Sequence, residues 1–449
     1  MLDIDIKKNI LMNKKNTIYA LSSVYGKSGV AVFRISGENC IKIISKFTKL
    51  KKPKDRRVCL TKLYKNKKNN EIIDRVLLTY FKGPKSYTGE DCIEISAHGS
   101  PAIINALYRE LNKSKLCIEA EPGEFTKRSF ENNRLDLTQV EAVSDLINAQ
   151  TESQRNLALS HLEGNFSKKI KNWANDIKHI LANAEALIDF SEDEVPHKIM
   201  EKNSKKTKKI INEIRKYLND EHAGEKIRSG IKIAIIGKPN TGKSSLINYL
   251  AKREIAIVSN IPGTTRDIIE LNYDIRGIPV IFYDTAGLRK SSKRIESIGI
   301  VKSIEKSKLS DINIIMVENT REMRKYNIKE KNKIFVQSKI DKKIRKINKK
   351  SVIKISSKTG YGITKLINQI YKLIKFKRNS YDNPHVSRER HRNQLILSLE
   401  SLEKSLKSNQ IDIKAEEIRK SYINISKIYG KYDIDEILDV IFNDFCIGK

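Results

Sequence analysis

One segment of the chain has residue types and spacing suited to binding phosphate. Residues 237–244, with the sequence GKPNTGKS, satisfy the pattern G-x-x-x-x-G-K-[ST]. The glycines allow backbone N–H groups to converge on phosphate oxygens, and a helix that begins after the loop directs its positive dipole end at them. Lys243 is expected to reach the β- and γ-phosphates, and the Ser244 hydroxyl is expected to bind Mg²⁺. The segment therefore predicts a nucleotide site.

Two later segments offer further ligands for the same phosphates and for Mg²⁺. Residues 263–267 (GTTRD) contain Thr265, a candidate Mg²⁺ ligand. The apolar run 278–283 is followed by the sequence DTAG. In it, Asp284 can hold Mg²⁺ through a water molecule, and the Gly287 N–H can contact the γ-phosphate. Their order along the chain is the one expected of a nucleotide-hydrolysing site.

A fourth segment predicts which base is bound. The strand predicted at 333–337 (KIFVQ) precedes the sequence SKID, in which Asp341 could accept both N–H groups of the guanine edge. Residues 356–358 (SSK) would close over the base. Adenine does not offer those donors, so the set resembles the GTPases related to translation factors and predicts GTP rather than ATP. Those proteins usually have asparagine where Ser338 stands here. We therefore expect weaker nucleotide binding, with the guanine preference kept.

The sequence lacks the glutamine that many small GTPases use to orient the attacking water, and Leu288 stands in its place. Another group must therefore position the water and neutralise charge in the transition state. The residues predicted to contact GTP are Asn240, Thr241, Gly242, Lys243, Ser244, Ser245, Ser259, Asn260, Ile261, Pro262, Gly263, Thr264, Thr265, Asp284, Thr285, Ala286, Gly287, Ser338, Lys339, Asp341, Ser356, Ser357 and Lys358.

Strands must position these segments. The run IKIAII at 231–236 has the length of a buried strand and directly precedes the phosphate loop. From about 230 to 375, strands alternate with helices, which predicts a parallel, doubly wound sheet. Before about residue 134, short apolar runs such as 29–35 and 92–96 alternate with glycine-bearing turns. That part is predicted to be an α+β fold.

The other parts of the chain are predicted to be helical. Thr138 and Glu141 have the spacing of a capping box, which predicts a helix start there. A long helix that Pro196 ends is predicted from seven apolar positions on one face: Phe166, Ile170, Trp173, Ile177, Leu181, Ala184 and Ile188. Trp173 is therefore interpreted as core, and the basic helix opening at 202–211 as a solvated face. Helices also follow Pro384, so the simplest topology inserts the α/β part into one helical domain.

Composition limits the partners and the compartment. The formal net charge of +33 attracts polyanions, usually phosphate backbones, although an AT-rich coding sequence would also give this lysine excess. The five cysteines (Cys40, Cys59, Cys92, Cys117 and Cys446) lack C-x-x-C spacing, which argues against a disulfide framework or a zinc site and favours a reducing cytoplasm. No apolar run approaches ~18 residues, so no membrane association is expected. The first residues have no apolar signal segment, and Met12 is an alternative start.

Over about residues 16–449, the chain resembles the tRNA modification GTPases of the MnmE (TrmE) family. Four segments carry the resemblance: 26–37 (GKSGVAVFRISG), 87–99 (YTGEDCIEISAHG), 122–139 (PGEFTKRSFENNRLDLTQ) and 446–449 (CIGK). They occur in the family's order. All four lie outside the predicted GTPase segment, three before it and one after it.

The resemblance implies a substitute for the absent glutamine. In this family a K⁺ ion replaces the arginine finger and drives pairing of two GTPase domains. Its ligands correspond to Asn240, Ser259, Ile261 and Thr264, where Ser259 and Ile261 would contribute backbone oxygens. Glu296 matches the acid that orients the attacking water through a second water. Considered alone, Asn240 would be a turn residue and Glu296 an exposed helical acid.

The resemblance also implies that the N-terminal domain forms a homodimer and binds 5,10-methylene-tetrahydrofolate or 5-formyl-tetrahydrofolate. The folate contacts correspond to Arg34, Glu94, Arg134 and Lys449, although relatives often have lysine at Arg134. A pterin offers N–H donors to a carboxylate, and a glutamate tail suits cations. Arg34 and Glu94 could instead be solvent-facing strand residues. Cys446 matches a reactive thiol by position, and a structural role for it is equally open.

The implied function is the addition of a carboxymethylaminomethyl group to C5 of the wobble uridine of certain tRNAs, with an FAD-dependent partner of the GidA (MnmG) type. The expected domains are a folate-binding and dimerisation domain at 1–134, a helical domain in two parts at 135–229 and 379–449, and a GTPase domain at 230–378.

Two other functions remain open from the sequence. A ribosome-assembly GTPase that binds RNA, similar to Era and EngA, would share the phosphate loop but would lack the folate domain and the CIGK ending. A folate-dependent methyltransferase could retain a GTPase domain without using it in tRNA modification. Co-purification with ribosomal subunits would favour the ribosome-assembly function. Co-purification with an FAD-containing protein would favour tRNA modification.

Overall fold

The computed structural model of the chain describes residues 16–51, 53–189, 198–238, 240–252, 256–257, 270–284, 310–325, 332–342, 347, 349–374, 386–432, 441, 445 and 448. The chain forms two compact units. Unit 1 comprises Met1–Ser144 and Ser426–Lys449, and unit 2 comprises Asp145–Ile425. Among the described residues, no helix combines the length and apolar composition needed to cross a bilayer.

Unit 1 is built on a six-stranded sheet in the order β3-β4-β5-β2-β1-β6, in which only β1 and β6 are parallel neighbours. Its strands are β1 (Ile18–Leu21), β2 (Ser28–Ser36), β3 (Val58–Asn66), β4 (Glu71–Phe81), β5 (Cys92–Gly99) and β6 (Ile118–Glu119). Its first helices are α1 (Cys40–Phe47), α2 (Pro101–Ser114) and α3 (Glu124–Glu131). The predicted α+β fold is confirmed.

Alternation along β2 and β5 separates an apolar face of this sheet from a polar one. Phe33 and Ile35 are fully buried, and they share a core with Ile93 and with residues of α1 and α2. Because successive strand side chains point to opposite faces, Arg34 lies on the other face. Apolar packing thus covers one side of the sheet and leaves charged groups on the other.

The next helix, α4 (Leu137–Ile147), begins with a different cap from the predicted one. Asp136 Oδ1 accepts from the backbone N–H groups of Thr138 and Gln139, and the Gln139 side chain accepts from the Asp136 N–H at 3.0 Å. The capping box therefore pairs Asp136 with Gln139, and the predicted pair of Thr138 and Glu141 is wrong. Both pairs have the same spacing, but Thr138 and Glu141 are buried in the helix.

Unit 2 combines helices with a seven-stranded sheet. Its helices are α5 (Glu152–Leu162), α6 (Asn165–Asp189), α7 (Lys198–Leu218), α8 (Ala223–Ser229), α9 (Lys243–Ala251), α10 (Thr320–Lys325), α11 (Ile363–Ile374), α12 (Glu389–Lys407) and α13 (Ile411–Ile428), the last of which ends in unit 1. Its strands are β7 (Ile231–Gly237), β8 (Ala256–Ile257), β9 (Glu270–Ile275), β10 (Ile278–Asp284), β11 (Ile312–Met316), β12 (Lys333–Gln337) and β13 (Val352–Lys354).

The sheet has the order β13-β12-β11-β7-β10-β9-β8. Strands β13, β12, β11, β7 and β10 are parallel, and β9 and β8 continue the sheet in antiparallel pairs. The three predicted strands at 231–236, 278–283 and 333–337 agree with β7, β10 and β12 to within one residue. The predicted doubly wound sheet is confirmed.

Helix α6 follows the predicted apolar face for most of its length. Trp173 is 2 % exposed, which confirms it as core, and its indole N–H donates to Glu213 Oε2 at 2.9 Å. Ile188 differs from the prediction, because it is 45 % exposed near the end of the helix. Pro196 lies outside the described residues.

The helices that precede and follow the sheet in the sequence pack together. Arg392 of α12 donates to the Leu218 carbonyl at 2.9 Å, to Asp220 at 2.6 Å and to Glu225 at 2.8 Å. Asp145 Oδ1 accepts from Arg228 at 3.0 Å and from Arg388 at 2.8 Å. The α/β part is therefore an insertion whose two flanking segments are held by the same ion pairs.

Candidate functional site

The phosphate loop lies between β7 and α9, as its sequence predicts. Lys243 is buried, and its ammonium donates to the carbonyl oxygens of Gly237 at 2.7 Å and Lys238 at 2.8 Å. The Thr241 hydroxyl donates to the same Lys238 oxygen at 2.8 Å. These hydrogen bonds hold the loop around the Lys243 ammonium. The positive charge therefore lies inside the loop, where phosphate oxygens would bind.

Gly242 ends this loop with a conformation and a clearance that favour glycine. Its φ is +96°, and a Cβ added there would lie 2.9 Å from Ser338 Oγ. A larger residue would be strained and would also push against the segment that follows β12. Gly242 therefore allows two predicted parts of the site to approach each other.

The predicted base-binding segment is joined directly to the phosphate loop. The Ser338 hydroxyl donates to the Thr241 carbonyl, and the Lys339 ammonium donates to the Asn240 carbonyl. Both contacts link residues almost a hundred positions apart, with separations of 97 and 99. The structure thus brings five of the predicted GTP contacts together, counting Gly242.

Asp341 is oriented by the predicted closing segment. Its Oδ1 accepts from the Ser356 hydroxyl at 2.7 Å, and the Ser356 oxygen accepts from the backbone N–H groups of Lys358 and Thr359. The hydrogen bond from Ser356 is the main cause that lowers the pKa of Asp341 below its ordinary value. The group is therefore an anion at neutral pH, as a guanine acceptor must be. Ser357, which is also predicted to contact GTP, lies between Ser356 and Lys358 in this segment.

The described metal candidates suit hard cations. Ser244 and Ser245 are exposed in the first turn of α9, where a hydroxyl oxygen fits Mg²⁺. Asn240 is exposed at a φ of +62°, a left-handed conformation that asparagine tolerates better than most residues. Its amide oxygen is the type of ligand that K⁺ would use. The hard oxygen donors of Ser244 and Asn240 thus fit Mg²⁺ and K⁺.

Many predicted residues lie outside the described part. For Asp284 only the backbone is described, at the end of β10 and opposite Ile235 of β7. The predicted residues outside the described part are Ser259, Asn260, Ile261, Pro262, Gly263, Thr264, Thr265, Thr285, Ala286, Gly287, Glu296, Cys446 and Lys449.

Sequence reasoning missed an ion pair that anchors the phosphate loop. Lys238 Nζ lies 2.6 Å from Glu322 Oε1, and the Glu322 side chain is only 4 % exposed. Glu322 also accepts from the Glu318 N–H at 3.0 Å and donates its own N–H to Asn319. Lys238 occupies a variable position of the phosphate-loop pattern, so the pattern gave no signal for it.

A second cluster lies on the polar face of the unit 1 sheet. Arg34 of β2 is directly opposite Glu94 of β5, and its Nε and Nη2 donate to Glu94 Oε1 at 3.1 and 2.8 Å. The guanidinium carbon lies 5.2 Å from the Tyr87 ring centre and 5.9 Å from that of Phe125. The predicted folate residues Arg34 and Glu94 are therefore brought together, with two aromatic rings that the sequence did not single out.

The C-terminal segment joins this cluster through a backbone carbonyl. The Gly448 oxygen accepts from the Ser22 hydroxyl at 3.0 Å and from Arg34 Nη1 at 3.5 Å. Gly448 has a φ of +97°, and a Cβ there would lie 2.5 Å from the Leu21 carbonyl oxygen. Arg134 is exposed, and among the described residues no hydrogen bond or ion pair links its guanidinium to Arg34 or Glu94.

A buried ion-pair network supports the loop that carries Tyr87. Arg128 is 4 % exposed, and it pairs with Glu90 at 3.1 Å and with Glu124 at 2.7 Å. Glu90 Oε2 also accepts from the Ser36 hydroxyl at 2.7 Å. Because Ser36 belongs to the same strand as Arg34, the network fixes the loop relative to the cluster.

Sequence profiles of two known domains cover nearly all of the described chain. The profile described as the MnmE helical domain matches residues 137–446, and that described as the GTP-binding protein TrmE N-terminus matches residues 17–134. The chain belongs to the MnmE family.

Curated relatives extend the MnmE match over the full length. The tRNA modification GTPase MnmE of Wolbachia pipientis subsp. Culex pipiens is 40% identical over 446 residues, which span 98% of this chain and 100% of the relative. The protein of the same name from Rickettsia rickettsii is 40% identical over 444 residues, 96% of this chain and 100% of the relative. Among solved structures, the G domain of the T. maritima FeoB iron transporter is 27% identical. The match covers 32% of this chain and 99% of that chain, with a TM-score of 0.24.

Proposed function

We propose that this chain is a K⁺-stimulated GTPase that acts in tRNA modification. The observation that carries the proposal is the direct joining of the phosphate loop to the base segment through Thr241 and Ser338. The loop holds the buried Lys243 as a cation for phosphate, and Ser356 orients the Asp341 carboxylate as an acceptor for the guanine N–H groups. The relatives named tRNA modification GTPase MnmE support GTP hydrolysis and a role in tRNA modification for the chain as a whole.

Each residue has a proposed role in GTP cleavage. Lys243 would turn from the loop carbonyls to the β- and γ-phosphates, Ser244 and Thr265 would bind Mg²⁺, and Asp341 would accept the guanine N–H groups. Mg²⁺ and K⁺, when bound, neutralise charge that develops on the phosphates. Asn240 with Ser259, Ile261 and Thr264 would hold K⁺, and Glu296 would orient the attacking water.

We propose further that the Arg34 cluster binds a reduced folate. The paired Arg34 and Glu94 can meet the donors and acceptors of a pterin, and Tyr87 and Phe125 offer aromatic surface. Arg134 and Lys449 would serve the folate's carboxylates, and Cys446 would lie near as a candidate thiol. The Gly448 carbonyl at Arg34 supports a site that includes the C-terminal motif.

In the proposed reaction, the folate one-carbon unit is used to build a carboxymethylaminomethyl group on C5 of the wobble uridine. The chain would act as a homodimer in the cytoplasm with an FAD-dependent GidA (MnmG)-type partner. Residues 1–134 would bind folate and dimerise, 135–229 and 379–449 would form the helical domain, and 230–378 would hydrolyse GTP.

The deciding experiment is GTP turnover by the purified chain in matched KCl and NaCl buffers. We expect strong stimulation by K⁺, and a Glu296→Ala variant that keeps GTP binding but loses hydrolysis. Turnover that is indifferent to the cation would remove the K⁺ site from the proposal. Equal affinity for ATP and GTP would refute the guanine assignment itself.

A further inference from the structure

Helix α7 carries a row of lysines on the side turned away from its packed face. The packed face contains Thr207, Ile210, Ile211 and Ile214, which are at most 4 % exposed. Lys202, Lys205, Lys209 and Lys216 are all exposed. At 100° per residue, these four positions fall about half a turn from the buried ones. We call these four residues the lysine row.

The lysine row forms no salt bridge within the described residues, and Lys209 acts on an acidic side chain only at longer range, where its charge helps to lower the pKa of Glu213. Neighbours at its edges are paired, since Lys206 lies 2.7 Å from Asp176 and Arg215 lies 2.7 Å from Glu403. None of the four row lysines lies within salt-bridge distance of a carboxylate in the part of the chain that the structure describes. Like charges three and four residues apart repel each other along a helix. The row is therefore a surface that an anionic partner would stabilise.

We propose that the lysine row binds the phosphate backbone of tRNA, an inference that rests on the proposed function. From Lys202 to Lys216 the helix rises by about 21 Å, long enough to follow several consecutive phosphates. Lysines on flexible stems suit such contacts, because they carry charge without fixing a base sequence. The site would therefore contribute affinity and orientation rather than choice of tRNA.

Other anionic partners fit the row less well. A helix that lies on a membrane needs an exposed apolar face, whereas the apolar face of α7 is packed against α6 and α12. Interfaces between proteins are depleted in lysine and enriched in aromatic residues and arginine. The row has neither an aromatic residue nor an arginine, so a nucleic-acid backbone is the partner that the observations favour.

The test compares two triple variants of the full-length chain. K202Q/K205Q/K209Q removes three charges from the row, and glutamine keeps nearly the helix propensity of lysine. The control K349Q/K350Q/K365Q removes three exposed lysines that form no ion pair among the described residues. The affinity for tRNA is measured at several salt concentrations, with GTP turnover and far-UV circular dichroism as checks on the fold.

Affinity for tRNA falls as salt rises, so the slope of log affinity against log salt is negative. We expect the row variant to make this slope shallower by roughly 2 to 3, because each phosphate contact contributes about 0.7–0.9 to its magnitude. Its affinity at low salt should fall at least ~10-fold, and K202E/K205E/K209E should bind more weakly still. The control should keep the slope of the unchanged chain, and turnover should be unaffected in all of them.

Two results would overturn the inference while leaving the proposed function intact. One is an unchanged salt dependence of tRNA binding in the row variant, and the other is an equal loss of tRNA affinity in the control. If the unchanged chain does not bind tRNA at any salt concentration, both the inference and the tRNA part of the proposed function fail.

Discussion

Ser338 donates its hydroxyl hydrogen to the carbonyl oxygen of Thr241, so the serine performs the bracing that related GTPases assign to an asparagine. The shorter side chain reaches the phosphate loop because Gly242 leaves room beside it. Serine has one donor for this task, whereas an asparagine amide has two. With fewer hydrogen bonds to hold the base-binding segment against the phosphate loop, we expect weaker nucleotide binding than an asparagine at position 338 would give.

Ser338 variants test this relationship. Ser338→Ala removes the bond, at a net cost of about 0.5–1.5 kcal/mol, and should weaken GDP binding roughly 2- to 10-fold. Ser338→Asn should tighten it. Calorimetric titrations with GDP and ADP check both, and the preference for guanine should be unchanged because Asp341 is intact. Tighter binding by Ser338→Ala would contradict the bracing role.

Glu94 and Arg34 give a prediction for the second cluster. Glu94→Gln keeps the shape of the side chain but removes its charge, and should weaken binding of 5-formyl-tetrahydrofolate by about 10- to 150-fold, the equivalent of 1.5–3 kcal/mol. Glu71 is an exposed acid paired with Lys65 at 3.3 Å, so Glu71→Gln is the matched control. Equal folate affinity in the two variants would argue against a folate site at Arg34.

Asp145 should matter for stability rather than for chemistry. Asp145→Ala deprives Arg228 and Arg388 of a shared acceptor and should cost about 1–3 kcal/mol of unfolding free energy. Asp145→Asn should cost less, because an oxygen remains. Denaturant unfolding measures the loss, with Glu163→Gln, an exposed acid without an ion pair among the described residues, as control. GDP affinity of the folded variants should stay unchanged.

The pair of Glu213 and Trp173 predicts a pH dependence. Hydrogen bonds from Lys169 first, and then from Trp173, lower the pKa of Glu213 below its ordinary value. Because the folded pKa is the lower one, this stabilisation is present above the ordinary pKa, about 4.3, and is lost as pH falls through the lowered value.

Glu213→Gln should therefore reduce the free energy of unfolding at pH 7, and the difference from the unchanged chain should shrink near pH 3. The chain has a single tryptophan, so Trp173 fluorescence reports the unfolding directly. A difference that is the same at both pH values would show that the carboxylate charge is not the stabilising feature.

The sequence was most informative where strands are rich in apolar residues. The segments that form β7, β10 and β12 have apolar residues on both faces, as expected for a parallel sheet covered by helices, and their bounds were predicted to within one residue. The helix start at α4 was placed wrongly because Asp136 with Gln139 and Thr138 with Glu141 have identical spacing. Only the backbone position decides which pair forms the cap.

Other parts of the sites depend on contacts that leave no local signal. Arg34 and Gly448 are 414 residues apart, and the acceptor is a backbone carbonyl, which every residue possesses. Asp145 and Arg388 are 243 residues apart, and either would be interpreted alone as a surface charge. Residue spacing predicts contacts only between neighbours on one helix or strand. The sequence therefore predicted several residues of the sites but not the distant contacts that hold them in place.

The insertion of the α/β sheet between α8 and α12 also has a consequence for synthesis on the ribosome. Arg215 of α7 and its partner Glu403 of α12 are separated by 188 residues. At a translation rate of about 5–20 residues per second, α7 waits roughly 9–40 s before α12 has emerged. During that interval Ile210, Ile211 and Ile214 lack part of the covering they have in the finished protein. The apolar face of α7 therefore stays partly exposed on the nascent chain until α12 (Glu389–Lys407) has been synthesised.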